Sequence, residues 1–84
     1  MDKPVIMCID DDKNVLETLV RDLENKYPNF EIEFCESAAE ALELRLEILH
    51  ENGRIALYIV DSKMPGMQGI DFLKRVEDKA GRIM

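Results

Sequence analysis

The chain has 84 residues, 46% of them hydrophobic and 35% charged, which is the composition of one small globular domain and not of a disordered segment. Its formal net charge of −7 argues against nucleic acid or an anionic membrane surface as a direct partner. No apolar run approaches the roughly 20 residues of a membrane span, and the N-terminus lacks the regions of a signal peptide, so we expect a cytoplasmic protein.

The first predicted element is a strand over residues 5–9, five consecutive apolar residues that follow Pro4. An unbroken apolar run is typical of a central parallel strand that is buried on both faces. Three aspartates, Asp10, Asp11 and Asp12, end this strand. They also suit the start of a helix, because carboxylates there accept hydrogen bonds from unpaired backbone N–H groups.

A helix is predicted over residues 13–26, since its apolar residues recur at helical spacing: Val15, Leu16, Leu19, Val20 and Leu23. Pro28 disfavours helical geometry at the residue before it, which ends the helix. Residues 30–35 then alternate, with Phe30, Ile32 and Phe34 on one face and two glutamates on the other. This alternation predicts a half-buried strand at the edge of a sheet.

The second helix is predicted over residues 38–51, because Ser37 and Glu40 form a capping box and Asn52-Gly53 provides the stop. Its buried arc is expected to contain Ala38, Ala41, Leu42, Ile48 and Leu49. Arg45 falls within that arc, where its stem could lie along the apolar surface or the face could meet a partner. Leu44 lies outside the arc and is a candidate contact residue. The two cysteines lack metal-type spacing and fall in apolar segments, which predicts buried free thiols.

A third strand over residues 56–60 ends at Asp61, and a loop with one proline and two glycines follows. A third helix is expected to begin near Gln68 or Gly69 and to end at residues 79–81, and residues 82–84 resemble the start of a further strand. Strands that alternate with helices predict an α/β fold, with a parallel sheet between helices on both faces.

Two of the predicted strands end in carboxylates, at Asp10-Asp11 and at Asp61. Because the carboxyl ends of parallel strands share one edge of the sheet, these groups would repel each other unless a cation neutralised them. A hard divalent ion such as Mg²⁺ suits carboxylate ligands, and one carboxylate beside it could attack a phosphoryl group. Each aspartate on its own could instead be a helix cap or a turn residue.

The acidic cluster, the strand-end Asp61 and the loop Lys63-Met64-Pro65-Gly66-Met67-Gln68-Gly69 together resemble the receiver domain of two-component response regulators. The resemblance spans residues 1–84 as one domain, in register with roughly the first two-thirds of a receiver. It implies a flavodoxin-like (βα)n fold, here about three βα units. It also implies a regulatory domain, not an enzyme with a small-molecule substrate, that a partner histidine kinase or phosphotransfer protein phosphorylates.

Carried over position by position, the resemblance makes Asp61 the phosphoacceptor and Asp10 and Asp11 the acidic pair. Asp11 would ligate Mg²⁺ directly, and Asp10 would do so largely through water. Lys63 would give its backbone carbonyl to the metal, while Asp12 would serve the helix start.

Two departures from the receiver pattern bear on function. Gln68 stands where many receivers have Asp, away from the metal. In addition, the chain stops at Met84, where the resemblance places the start of the fourth strand, so we expect it to lack the family's later Ser or Thr and Lys, and any output domain. We therefore expect a truncated receiver whose third strand is an open edge, and we expect self-association through that edge.

Two other functions are compatible with parts of the sequence. The chain could be a receiver-like fragment or interaction module that transfers no phosphate. It could also be a haloacid-dehalogenase-type phosphatase, since Asp10-x-Asp12 resembles the motif of that family, although Asn14 and the short chain do not fit. A calcium loop is a poor match, because the glycine needed for its turn is missing.

Overall fold

The computed structural model describes residues 3–61 in full and the backbone of residues 81–83. The elements follow in the order β1 (Val5–Ile9), α1 (Lys13–Lys26), β2 (Glu31–Cys35), α2 (Ala38–His50), β3 (Ile55–Val60) and β4 (Gly81–Ile83). Every predicted element within the described residues is present, and each boundary lies within one residue of its predicted position. None of the described helices has the length and apolar character that crossing a membrane requires.

The four strands form one parallel sheet in the order β2-β1-β3-β4. This order, with a helix between β1 and β2 and another between β2 and β3, confirms the predicted α/β, flavodoxin-like fold. Among the described strands β2 lies at one edge of the sheet, as its alternating sequence predicts.

The prediction that the third strand is an open edge is wrong. Strand β4 pairs with β3 in parallel, and its residues 81–83 lie opposite Leu57, Tyr58 and Ile59. Because β4 pairs with β3 at this edge, the reason for expecting self-association through it no longer holds.

The central strand β1 sends alternate side chains to opposite faces of the sheet. Val5, Met7 and Ile9 join a core cluster on the side of α2, whereas Ile6 and Cys8 join a second cluster with Leu16 of α1. All five residues of β1 are buried, which confirms the prediction of a strand covered on both faces. The thiols of both cysteines are free and buried, also as predicted.

The buried face of α2 differs in two positions from the predicted arc. Ala38, Ala41 and Ile48 are buried, but Leu49 is 38% exposed. Leu44, expected to point away from the core, packs against it instead. The difference arises because the face that α2 packs against β2 and β1 includes Leu44 and has Leu49 at its margin. Arg45 is half-buried, which fits a stem lying along apolar surface.

Phe34 also departs from its prediction. It shares a face of β2 with Ile32, which packs against the cluster beneath α1, yet Phe34 is 55% exposed. The cause is its position on an edge strand, where α1 covers the face only in part: Leu16 is the one α1 residue fully buried.

Candidate metal centre

The fold brings the ends of β1 and β3 together. The two strands pair in parallel with Ile9 opposite Val60, and the N–H of Asp61 donates to the carbonyl of Ile9 at 2.9 Å. The next residue of each strand therefore lies at the same edge of the sheet, and these residues are Asp10 and Asp61. The position follows from strand pairing and does not depend on a loop conformation.

Asp11 completes a cluster with Asp10 and Asp61. One carboxylate oxygen of each residue lies within 4.8 Å of the others. Asp10 and Asp61 are half-buried and Asp11 is exposed. Two unit charges 4.8 Å apart repel by about 1 kcal/mol in water and about 3 kcal/mol at an effective dielectric constant of 20. The structure thus holds three mutually repelling acidic groups together, as the sequence predicts.

Asp12 stands apart from this cluster and caps α1. Its Oδ1 accepts hydrogen bonds from the N–H groups of Asn14 at 2.9 Å and Val15 at 3.4 Å. Its own N–H donates to Oδ1 of Asp10 at 3.0 Å. The prediction that Asp12 serves the start of the helix is confirmed, while Asp10 and Asp11 lie with Asp61 in the acidic cluster.

The hydrogen bond from Asp12 to Asp10 was not predicted from the sequence. An aspartate carboxylate that accepts from the N–H two residues later is a common turn, and the Asp-x-Asp spacing was the available signal. This bond leaves the second oxygen of Asp10 for other partners and restricts the side chain's rotation.

The electrostatic environment raises the pKa of Asp10 above its ordinary 3.8. Burial is the largest cause, and the charges of Asp61, Asp11 and Asp12 act in the same direction. The hydrogen bond from the Asp12 N–H opposes them by favouring the charged carboxylate. A cation bound at the cluster would act against the raised pKa of Asp10 by favouring its ionised form.

The donor set fits Mg²⁺, which prefers oxygen ligands at about 2.0–2.1 Å and retains several waters. Two oxygens on opposite sides of one such ion are at most about 4.2 Å apart, and the three carboxylates lie within 4.8 Å of one another. Small side-chain rotations would bring two of them into direct contact with the ion and leave the third to bind through water. Asp11 and Asp61 are the predicted direct ligands, and Asp10 is the predicted water-mediated one.

The other predicted parts of the site lie outside the described residues. These are Lys63, whose carbonyl is the predicted third ligand, the loop over residues 62–69 and the third helix. The part of the chain that the structure describes adds no further carboxylate, histidine or cysteine to the cluster.

The fold and the cluster define a parallel α/β domain with three clustered carboxylates at the carboxyl edge of its sheet. Comparison with known proteins identifies the class further: the response regulator receiver domain matches residues 6–84. The chain therefore belongs to that family, whose members are the regulatory phosphoacceptor domains of two-component signalling. No curated protein matches the chain.

Three solved structures support the same fold. An uncharacterized protein from Neptuniibacter caesariensis has 29% identity and a TM-score of 0.70, over 87% of this chain and 49% of that one. A response regulator receiver protein from Pseudomonas putida has 28% identity and a TM-score of 0.67, over 88% and 56%. Chemotaxis response regulator CheY4 of Vibrio cholerae, at 23% identity and a TM-score of 0.71 over 92% and 58%, is similar in fold alone. This chain spans about half of each.

Proposed function

We propose that the chain is a phosphoacceptor module of a two-component phosphorelay and that Asp61 receives the phosphoryl group from a partner histidine kinase or phosphotransfer protein. The observation that carries the proposal is the approach of Asp61 to Asp10 and Asp11, with one oxygen of each within 4.8 Å of the others. Membership of the receiver family supports it. Because Cys8 and Cys35 are free thiols, we assign the reaction to the reducing cytoplasm.

In the proposed reaction a carboxylate oxygen of Asp61 attacks the phosphorus of a phosphohistidine. An O–P bond forms as the N–P bond breaks, and the imidazole leaves with the electron pair of that bond and takes up a proton. The product is an aspartyl phosphate. Pairing of β3 with β1 fixes the position of the Asp61 backbone, which reduces the motion that the nucleophile must lose before attack.

Asp10 and Asp11 would hold Mg²⁺ beside Asp61, and the proposal adds the backbone carbonyl of Lys63 as a further ligand. When bound, Mg²⁺ would stabilise the negative charge on the phosphoryl oxygens during transfer. The two aspartates also keep the site anionic without that ion, so we expect Asp61 to accept a phosphoryl dianion poorly unless the cation is present.

The proposal is tested by incubating the chain with acetyl phosphate and Mg²⁺ and measuring the intact mass. One added phosphoryl group is expected, and peptide mapping should locate it on Asp61. Asp61→Asn should abolish the addition, and Asp11→Asn should slow it at least tenfold because a metal ligand is lost. Asp22→Asn, on the exposed surface of α1, is the matched control and should react like the unmodified chain.

Three results would overturn the proposal. Addition at Asp10 would favour the haloacid-dehalogenase-type reaction instead. Addition that persists at full rate in EDTA would remove the role of the acidic pair. A folded chain that binds Mg²⁺ but gains no phosphoryl group would leave the chain as an interaction module without phosphotransfer.

A further inference from the structure

The outer edge of β2 has backbone groups with no partner strand among the described residues. The N–H of Glu31 donates to the carbonyl of Pro4 at 2.9 Å, and the carbonyl of Cys35 accepts from the N–H of Asp10 at 3.1 Å. Backbone groups alternate in direction along a parallel strand, so those of Ile32 and Phe34 point away from β1. Two N–H and two C=O groups are thus available to an added strand.

On the face of β2 toward α1, this edge is apolar. Phe34 is 55% exposed and lies over a cavity of about 150 Å³. The cavity is lined by side chains of α1 and the end of β2: Lys13, Leu16, Glu17, Val20, Phe34 and Glu36. Most of its lining is hydrocarbon, so the ring of Phe34 and the side chain of Val20 offer a place for one aliphatic side chain of a ligand.

On the face toward α2, the same edge is acidic. Glu31 and Glu33 alternate with Ile32 and therefore project from β2 on this side, the side of Cys35. A groove on this side is lined by Phe34, Cys35, Glu40, Glu43, Leu44 and Glu47. Burial, and after it the charge of Glu31, raises the pKa of Glu33. Among the residues that line the cavity and this groove, the one cation is Lys13, and it pairs with Glu36 at 3.7 Å.

Charge excludes a second copy of this chain as the occupant. Pairing β2 with another β2 would place Glu31 and Glu33 beside the glutamates of the other copy, in a protein of net charge −7. Glutamates on an edge strand are a known device against such pairing. They attract a segment of opposite charge for the same reason.

We propose that the outer edge of β2 binds an extended Lys- or Arg-rich segment of a partner protein as an added strand. Basic and aliphatic residues alternate along the segment, because one face of the edge is acidic and the other is apolar. Basic side chains meet Glu31, Glu33 and the glutamates of α2 on one face, and aliphatic side chains meet Phe34 and Val20 on the other. Main-chain hydrogen bonds to Ile32 and Phe34 hold the segment, as in other cases of strand addition. This surface does not depend on phosphorylation of Asp61.

The probe is a short capped peptide of alternating lysine and valine, titrated into ¹⁵N-labelled protein at low salt. Its control replaces the valines by prolines, which keeps the charge but removes the strand geometry and the N–H donors. We expect the lysine-valine peptide to shift the amide resonances of residues 31–35 most, and to bind at least tenfold more tightly than the proline peptide. Raising the ionic strength should weaken binding severalfold.

Variants separate the two halves of the surface. Phe34→Thr retains a strand-forming residue but removes the ring, and Glu33→Gln removes one charge; each should weaken binding about three- to tenfold. Glu24→Gln, an exposed glutamate near the end of α1, is the matched control and should leave binding unchanged. Circular dichroism checks that each variant is folded.

The proposal is overturned if the proline peptide binds as well as the lysine-valine peptide, since charge alone would then explain binding. Changes in amide resonances spread over all acidic surfaces would also show that charge alone explains binding. An equal effect of Glu24→Gln and Glu33→Gln on affinity would show the same. Absence of binding at millimolar peptide would show that the glutamates only keep other strands away.

Discussion

The three carboxylates should make the domain less stable in the absence of a cation, and Asp11→Asn tests this. Asp11 lies within 4.8 Å of both Asp10 and Asp61. Its repulsion from Asp10 persists in the unfolded chain, because the two are adjacent in sequence, so only its repulsion from Asp61 is specific to the fold. That pair contributes about 1 kcal/mol when Asp11 is solvated as its exposure indicates.

We therefore expect Asp11→Asn in EDTA and low salt to be more stable than the unmodified chain by about 1 kcal/mol, which is a rise of about 4–8 °C in Tm for a domain of this size. Magnesium should reverse the order. At a Mg²⁺ concentration 100 times its Kd the unmodified chain gains about 2.7 kcal/mol, whereas Asp11→Asn has lost a ligand and gains less. The assay is thermal unfolding followed by circular dichroism.

Glu24→Gln removes the same charge from a distant exposed position and should change stability by less than about 0.5 kcal/mol. Ionic strength near 1 M should remove most of the Asp11→Asn effect. The reasoning is refuted if Asp11→Asn is no more stable than the unmodified chain in EDTA, or if both gain equally from Mg²⁺.

Three further predictions follow from the described contacts. Folding raises the pKa of Asp10 above 3.8, so protonation of Asp10 stabilises the folded state. In urea unfolding the free energy of unfolding should therefore fall as pH rises through the folded-state pKa, and an equal fall in Asp10→Asn would contradict this. Ser37→Ala removes the hydrogen bond from the Glu40 N–H at 3.1 Å and should cost about 1 kcal/mol in denaturant unfolding; an unchanged midpoint would contradict it. Burial raises the pKa of Cys8 to about 11 and that of Cys35 to about 12, so Ellman's reagent should label both only after unfolding, and rapid labelling of the native protein would contradict it.

The sequence predicts the elements well wherever one local signal dominates. Asp12 and Ser37 begin the two helices because each side chain accepts a hydrogen bond from the first turn, and this can be inferred from a few neighbouring residues. The unbroken apolar run of β1 likewise indicates burial on both faces. The approach of Asp10 and Asp61 follows from these same elements, since parallel strands end at one edge.

The errors arise where the outcome depends on distant parts of the chain. A helical wheel gives the width of an apolar face but not the point at which the helix crosses the sheet, so it misplaces the margins of that face at Leu44 and Leu49. Phe34 lies on the face of β2 that the alternation predicts, yet its exposure depends on how far α1 extends over β2. The prediction of an open third-strand edge is wrong because residues 81–83 pair with β3. The sequence of these residues gives only a weak strand signal.

The central claim is that Asp61 accepts a phosphoryl group at a cation site formed with Asp10 and Asp11. Fluorine NMR with beryllofluoride tests it most directly, because this phosphoryl analogue needs no donor protein. We predict a bound fluorine signal that requires Mg²⁺, disappears in Asp61→Asn and persists in the control Asp22→Asn. A bound signal that survives Asp61→Asn, or one that forms equally in EDTA, would contradict the account.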